Sequence, residues 1–363
     1  MNLKLPWHSK SAEPYTLRDL PRRVLLSEYF VLYLTIVYVI LLLPFIPWLL
    51  NPMNIKNILS NAWPLLALAM GQTFVLIVIG VPDLSQTSIM ALTSVVGAVV
   101  MSNYFDPVLF SKSPLWGSLI AENGGIFAGT SLATLGGVVV MLSVGLLIGL
   151  FNGISVALFK MPPFMVTLVG WNLWAAIATF LPKSENIRHL PEGFVAIGSG
   201  NIGPISIAML VALLLAVSGH FVLSKTLFGK RVYATGLNPK AAKVCGIPTK
   251  RIIIAVYMVS GLCAAVGSIL YSARLEMGRP TMGSTLLLDI IGANIIAGIS
   301  LYGGKGKVSW TFFGVFFFII LANSLNHLNL PFYMIDIVKG SIICLAAVLD
   351  VVRTRASERR VYT

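Results

Sequence analysis

Apolar residues run through this chain in long blocks separated by short polar gaps. The blocks lie near 29–50, 62–80, 87–103, 127–158, 163–182, 204–224, 252–272, 287–302, 308–325 and 331–350. A helix needs ~20 mostly apolar residues to cross a bilayer. The pattern therefore predicts an all-α integral membrane protein of about ten transmembrane helices. The eighth block is short and glycine-rich, so a re-entrant or broken helix is expected there. The first block follows Arg18, Arg22 and Arg23, is too long for a signal-peptide core, and has no small-residue cleavage site after it. It reads as a retained first span.

Composition removes the soluble alternative. The chain is 57% hydrophobic and 11% charged, against roughly 45–50% and 25% in soluble domains. Globular cores stop growing near ~250–300 residues, so water could not accommodate this much apolar surface. The 26 Lys+Arg against 13 Asp+Glu would suit a nucleic-acid binder. Here the basic residues fill gaps between apolar blocks, the pattern of cytoplasmic membrane loops, and no nucleic-acid partner is expected.

Their distribution also predicts an orientation. Five Lys/Arg precede Tyr29, seven lie in 225–251, and Arg353, Arg355, Arg359 and Arg360 close the chain. Six and then four blocks separate these segments. Both numbers are even, so all three segments fall on one side, which the positive-inside rule makes cytoplasmic. The expected organisation is a tail over 1–28, one transmembrane domain over 29–350 interrupted by a cytoplasmic loop at 225–251, and a tail over 351–363.

No reactive constellation emerges. Cys245, Cys263 and Cys344 give no disulfide framework, and His8, His189, His220 and His327 are scattered. There is no G-x-S-x-G or H-E-x-x-H motif, and Gly304-Lys305 is followed by Gly306 rather than by the Ser or Thr of a phosphate-binding loop. Asp83, Asp289, Asp336 and Asp350 fall at or near block ends, as capping or interfacial carboxylates do. No catalytic residue, metal or bound cofactor is expected on this chain. Such a protein is a channel or draws its energy from a partner. Gly145, Gly149 and Gly153 share one helix face, a pattern that suits close helix packing within the bundle.

The gap 225–251 carries the clearest local signals. Asn238 can cap a helix with Pro239 in its first turn, Lys240 to Cys245 continue it, and Gly246 and Pro248 stop it. So short a helix is marginal in water, and its definite start and stop signals suggest that something holds it: a docking element for a cytoplasmic subunit, against the alternative of a solvated surface helix. Ala241 and Ala242 are small enough for close approach, and Ala242 is expected to face water in the free subunit.

Six segments in register resemble the ribose-type permeases of ATP-binding-cassette importers, within the branched-chain amino acid and sugar permease superfamily. They are Gly236-Leu237-Asn238-Pro239 with Ala241, Ala242 and Gly246-Ile247; Tyr257 to Gly261; Ala273-Arg274-Leu275; Gly298 to Gly306; Gly149 to Gly153; and Pro162 to Leu168. The resemblance runs from about 60 to 352. It implies a dimer of permeases in a bacterial inner membrane, cytoplasmic ATPase subunits that hold ATP-Mg, and a periplasmic or extracellular substrate-binding protein. It makes Gly236, Asn238, Pro239, Ala241, Ala242 and Gly246 the ATPase-coupling residues. Two segments depart from the family. Its G-G-I-D-L-S-V-G-S reads Gly80-Val81-Pro82-Asp83-Leu84-Ser85-Gln86-Thr87-Ser88 here, and its E-L-D reads Leu287-Leu288-Asp289. A degenerate half of this kind suggests either a permease that works beside a second, different permease or an unusual substrate.

The substrate implied is a neutral monosaccharide or related polyol. Phe74, Asp83, Ser85, Asn152, Phe164, Asn172 and Asn294 are the pathway candidates, with Trp171 and Asn323 beside them. A nucleoside or amino acid importer stays open within the superfamily. A secondary transporter or channel would call for intramembrane charge pairs, and a membrane enzyme for a nucleophile or acid/base pair. A charged substrate would favour buried cations, and only Lys339 comes near mid-membrane.

Overall fold

Proline and small polar residues set the helix boundaries. The computed structural model describes residues 29–359. Helix α1 (Phe30–Leu42) ends before Pro44, and a 3-10 turn at Pro47–Leu50 leads into Asn51. The Asn51 side chain accepts the Met53 N–H and Pro52 takes the first helical position, so α2 (Pro52–Ile79) begins well before its apolar block. Gly80 closes it at φ 76°, a conformation that disfavours a side chain, and a Cβ there would also stand 2.7 Å from the Leu301 carbonyl. After a short turn comes α3 (Gln86–Met101). A connection holding α4 (Pro107–Phe110) and the hairpin β1 (Ile120–Ala121) with β2 (Gly124–Gly125) leads to α5 (Ala133–Ala157) and α6 (Pro163–Phe180). Then follow α7 (Glu192–Ser199), the hairpin β3 (Asn201–Ile202) with β4 (Ile205–Ser206), and α8 (Ile207–Lys225). Two short helices, α9 (Leu227–Leu237) and α10 (Pro239–Val244), precede α11 (Thr249–Leu275). The described chain ends with α12 (Leu287–Ile296), α13 (Val308–His327) and α14 (Phe332–Arg359).

Among the described residues the architecture is all-α apart from the two small hairpins. Among the described residues, six helices are long and apolar enough to cross a membrane: α2, α5, α6, α8, α11 and α13. Three more, α1, α3 and α12, are apolar but shorter. Ten residues at about 1.5 Å each make α12 ~15 Å long, half of a ~30 Å hydrocarbon core. Beyond Ile296 the chain turns through Gly298, Gly303 and Gly304, all at positive φ, so the block predicted over 287–302 is helical only in its first part. Of the expected tails, 1–28 and 360–363 lie outside the described residues; α14 carries the chain past 350 as helix.

Helix α2 is the axis of the molecule. From Ala62 to Val78 it is buried on every side, as a helix apolar nearly all round must be, and it packs against α8, α11, α12 and α13. The most extensive contact joins α5 to α11. A Cβ on Gly145, Gly149 or Gly153 would run into the backbone of Gly261, Tyr257 or Ile254 respectively. The glycine face is thus filled within the chain.

Loops sort into two sets at opposite ends. At one end the Gly304 N–H donates to the Ile77 carbonyl (2.7 Å) and the Tyr233 hydroxyl to the Gly306 carbonyl (2.7 Å), joining the close of α2, segment 225–251 and turn 303–307. At the other, Asn103 N–H donates to the His189 carbonyl, Ile187 pairs with Gly278, Arg274 donates to Asn61, and Asn54 pairs with Asn323. Alternate loops go to opposite ends, as repeated crossings require.

Candidate functional site

Segment 225–251 is built more firmly than a connector needs. The Thr226 hydroxyl accepts the Gly229 N–H (3.2 Å) to start α9, a helix that the sequence reading took for loop. Asn238 Oδ1 then accepts the N–H groups of Lys240 and Ala241, both at 3.0 Å, with Pro239 in the first turn of α10. At the far end Gly246 N–H donates to the Lys243 carbonyl and Ile247 N–H to the Ala242 carbonyl, with Gly246 at φ 79°. These two crossed bonds form a complete C-terminal cap. Six residues, far fewer than the ~12–15 an isolated helix needs, are therefore held at both ends.

The coupling candidates divide between display and support. Gly236 supports: a Cβ there would run into the Ile77 carbonyl, with the Gly304 N–H 2.8 Å away. Ala242 is 5% exposed, which corrects the expectation that it faces water. Neighbouring residues on a helix point about 100° apart, so with Ala242 turned inward it is Ala241 that points out. The display is apolar: Val244 is 89% exposed and Leu237 66%. Lys240, Lys243, Lys250 and Arg251 surround it.

A second group of candidates meets in the bundle interior. Asp83, in the turn between α2 and α3, is 1% exposed. Its Oδ1 accepts from the Ser85 N–H (3.0 Å) and hydroxyl (2.6 Å), and its Oδ2 from the Ser260 hydroxyl of α11 (2.8 Å). Each serine oxygen in turn accepts an amide N–H: Ser85 from Asn152 of α5 (2.8 Å), Ser260 from Gln86 of α3 (2.9 Å). Two matching relays thus converge on one carboxylate and tie α3, α5 and α11 to the turn. Outward from it, Gln86 Oε1, Asn152 Oδ1 and the Tyr257 hydroxyl are buried without a protein hydrogen-bond partner. Free buried valences of this kind recognise hydroxyl groups or water. Gln86, Tyr257 and Ser260 were absent from the sequence-based pathway candidates; the available signal was polar side chains within apolar blocks.

The remaining candidates lie elsewhere. Phe74 is buried on α2, where it packs beside Gly219 of α8. Asn294 accepts from the Thr73 hydroxyl (2.8 Å) and donates to the Ile290 (2.9 Å) and Ala69 (3.3 Å) carbonyls, fastening α12 to α2. Asn323 pairs with Asn54. Phe164 and Asn172 are exposed on α6, with Trp171 half-buried next to them. The structure therefore brings Asp83, Ser85 and Asn152 together, and keeps Phe74, Phe164, Asn172 and Asn294 apart from them.

Asp289 is neither capping nor interfacial in the expected sense. It occupies the first turn of α12, yet its carboxylate is buried and contacts Lys339 Nζ of α14 at 2.7 Å. Among the described residues, the one buried lysine is therefore already paired.

The family described as branched-chain amino acid transport system / permease component matches residues 54–347. The galactose/methyl galactoside import permease of Haemophilus influenzae is 31% identical, over 84% of this chain and 88% of its own length. The ribose import permease of Bacillus subtilis is 30% identical (84% and 86%), and the L-arabinose ABC transporter permease of Azospirillum brasilense 28% (87% and 84%). No solved structure matches the chain significantly. With one family covering most of the chain and every long membrane helix, this protein belongs to the branched-chain amino acid transport system permease component family.

Proposed function

We propose that this chain is the transmembrane permease subunit of an ATP-binding-cassette importer that carries a neutral monosaccharide or related polyol across a bacterial inner membrane. The observation that carries the reading is α10, a six-residue helix capped at both ends that holds Val244 out in water. An exposed apolar side on so firmly held an element is a contact surface awaiting its partner. The partner is a cytoplasmic ATPase subunit, which binds and hydrolyses ATP-Mg. A substrate-binding protein serves the opposite face.

The relatives support the substrate class, being import permeases named for galactose, ribose and L-arabinose. So do the buried charges: the Lys339–Asp289 pair leaves no free cation at depth for an anionic substrate among the described residues. The amides and hydroxyls around Asp83 are suited to a hydroxylated one. The Gly80–Ser88 turn lacks two of the family's glycines, which favours a pore formed with a second, different permease.

The six long helices, the three shorter ones and α14 are read as ten spans with both termini cytoplasmic. Cysteine substitutions scanned through 190–200 and at Lys240 test this in intact cells. An impermeant maleimide added outside is expected to label the first set and to spare Lys240→Cys until the membrane is opened. Labelling of both from the same side would overturn the topology and, with it, the assignment of α10 to the ATPase.

A further inference from the structure

A cavity of about 660 Å³ opens where several helices leave the bundle on the α10 side. Its walls include His220 near the end of α8, Lys230 and Tyr233 of α9, Lys305 and Lys307 of the turn, and Trp310 of α13. Lys230 and Lys305 face one space, and no carboxylate is among its described lining residues. Lys230 and Lys305 are exposed and form no ion pair among the described residues. Ammonium groups gathered in this way repel one another and create a positive potential that an anion relieves.

Location narrows the anion. Helix α8 ends at Lys225 and α13 begins at Val308, so the cavity lies at the level where these spans leave the hydrocarbon. Trp310 and Tyr233 are residues of that boundary layer. Tyr233 donates to Gly306, and Lys307 Nζ stands 5.2 Å from the Trp310 ring centre, so the wall is held in shape. Leu223 and Val308 add an apolar edge that a soluble ion could not use but an acyl-glycerol could. Basic pockets at helix ends on the cytoplasmic side are suited to anionic headgroups.

The geometry points to a binding site for the phosphate headgroup of an anionic phospholipid, held by Lys230 and Lys305 between α8, α9 and α13. Neither Val244 nor any residue of the group around Asp83 lines it, and the site rests on the proposed topology, which puts this end at the cytoplasmic leaflet.

The test uses the full-length protein in phosphatidylcholine vesicles containing a minority of phosphatidylglycerol, with the lipid retained after detergent extraction counted by native mass spectrometry. Wild type is expected to retain phosphatidylglycerol selectively. Lys230→Gln or Lys305→Gln should each lower retention about fivefold, the factor that corresponds to roughly 1 kcal/mol per basic residue, and the pair about thirtyfold. Both positions are exposed, so monodisperse, inserted protein is expected in every case. Lys56→Gln with Lys112→Gln, exposed residues at the other end, should change nothing. Unchanged retention in the Lys230/Lys305 variant, or equal loss in the control pair, would overturn the site. Displacement of the lipid by millimolar inorganic phosphate would assign it to a free anion and overturn the lipid.

Discussion

Val244→Glu is expected to leave the protein folded and inserted while abolishing ATP-driven uptake. Val244 is 89% exposed on α10 and contributes almost nothing to the packing of the free chain. On the proposed docking at α10, a carboxylate there remains in water in the free chain and is buried without a partner in the complex. Truncating or introducing an unpaired charge at such a contact costs about 2–5 kcal/mol, and each 1.4 kcal/mol is tenfold in binding. Association should weaken by a factor of roughly 30 to several thousand. Ser199→Glu, exposed at the opposite end, is the matched control and should transport normally. Ala242→Glu is a different experiment, because Ala242 is buried: it is expected to disrupt the helix itself and to lower the yield of folded protein. Pull-down of the ATPase together with uptake separates the cases. Normal association and uptake for Val244→Glu would reduce α10 to a solvated connector.

Lys339→Ala should produce the largest loss of stability. The change leaves the Asp289 carboxylate buried beside α14 with no cation at 2.7 Å to balance it. Breaking one side of a buried pair costs about 3–5 kcal/mol, whereas removing both charges is often close to neutral. Thermal unfolding of the purified protein should therefore show Lys339→Ala and Asp289→Ala each well below wild type. The double variant should recover most of the difference. Singles that unfold like wild type would mean that water reaches the pair.

What the sequence revealed depended on how local each signal is. Apolar blocks exposed the long helices, because lipid imposes length and composition directly. The start of α2 was hidden: Asn54, Lys56, Asn57, Ser60 and Asn61 interrupt the apolar pattern while the helix continues through them. The weakness of the eighth block was legible in its glycines, which recur at positive φ just beyond α12. Likewise Asn238, Pro239 and Gly246 marked α10, since a cap is made between residues only a few positions apart. Helix α9 carries no such proline or glycine boundary on its N-terminal side and passed for loop. Contacts across the fold were the least visible. Ser260 reaches Asp83 from 177 residues away, and nothing near either residue announces the other. Which of Ala241 and Ala242 faces outward also depends on how the segment is seated, and no local pattern fixes that.

The central claim is that this chain is the membrane passage of an ATP-driven importer for a neutral sugar. Its most direct test is uptake of a labelled neutral monosaccharide into vesicles that hold this chain with its ATPase and its binding protein. Uptake is expected only with this chain present, with binding protein outside and with ATP inside the vesicles, and it should persist when ion gradients are dissipated. Uptake that continues without nucleotide and collapses with an ion gradient would contradict the account and make the protein a secondary transporter.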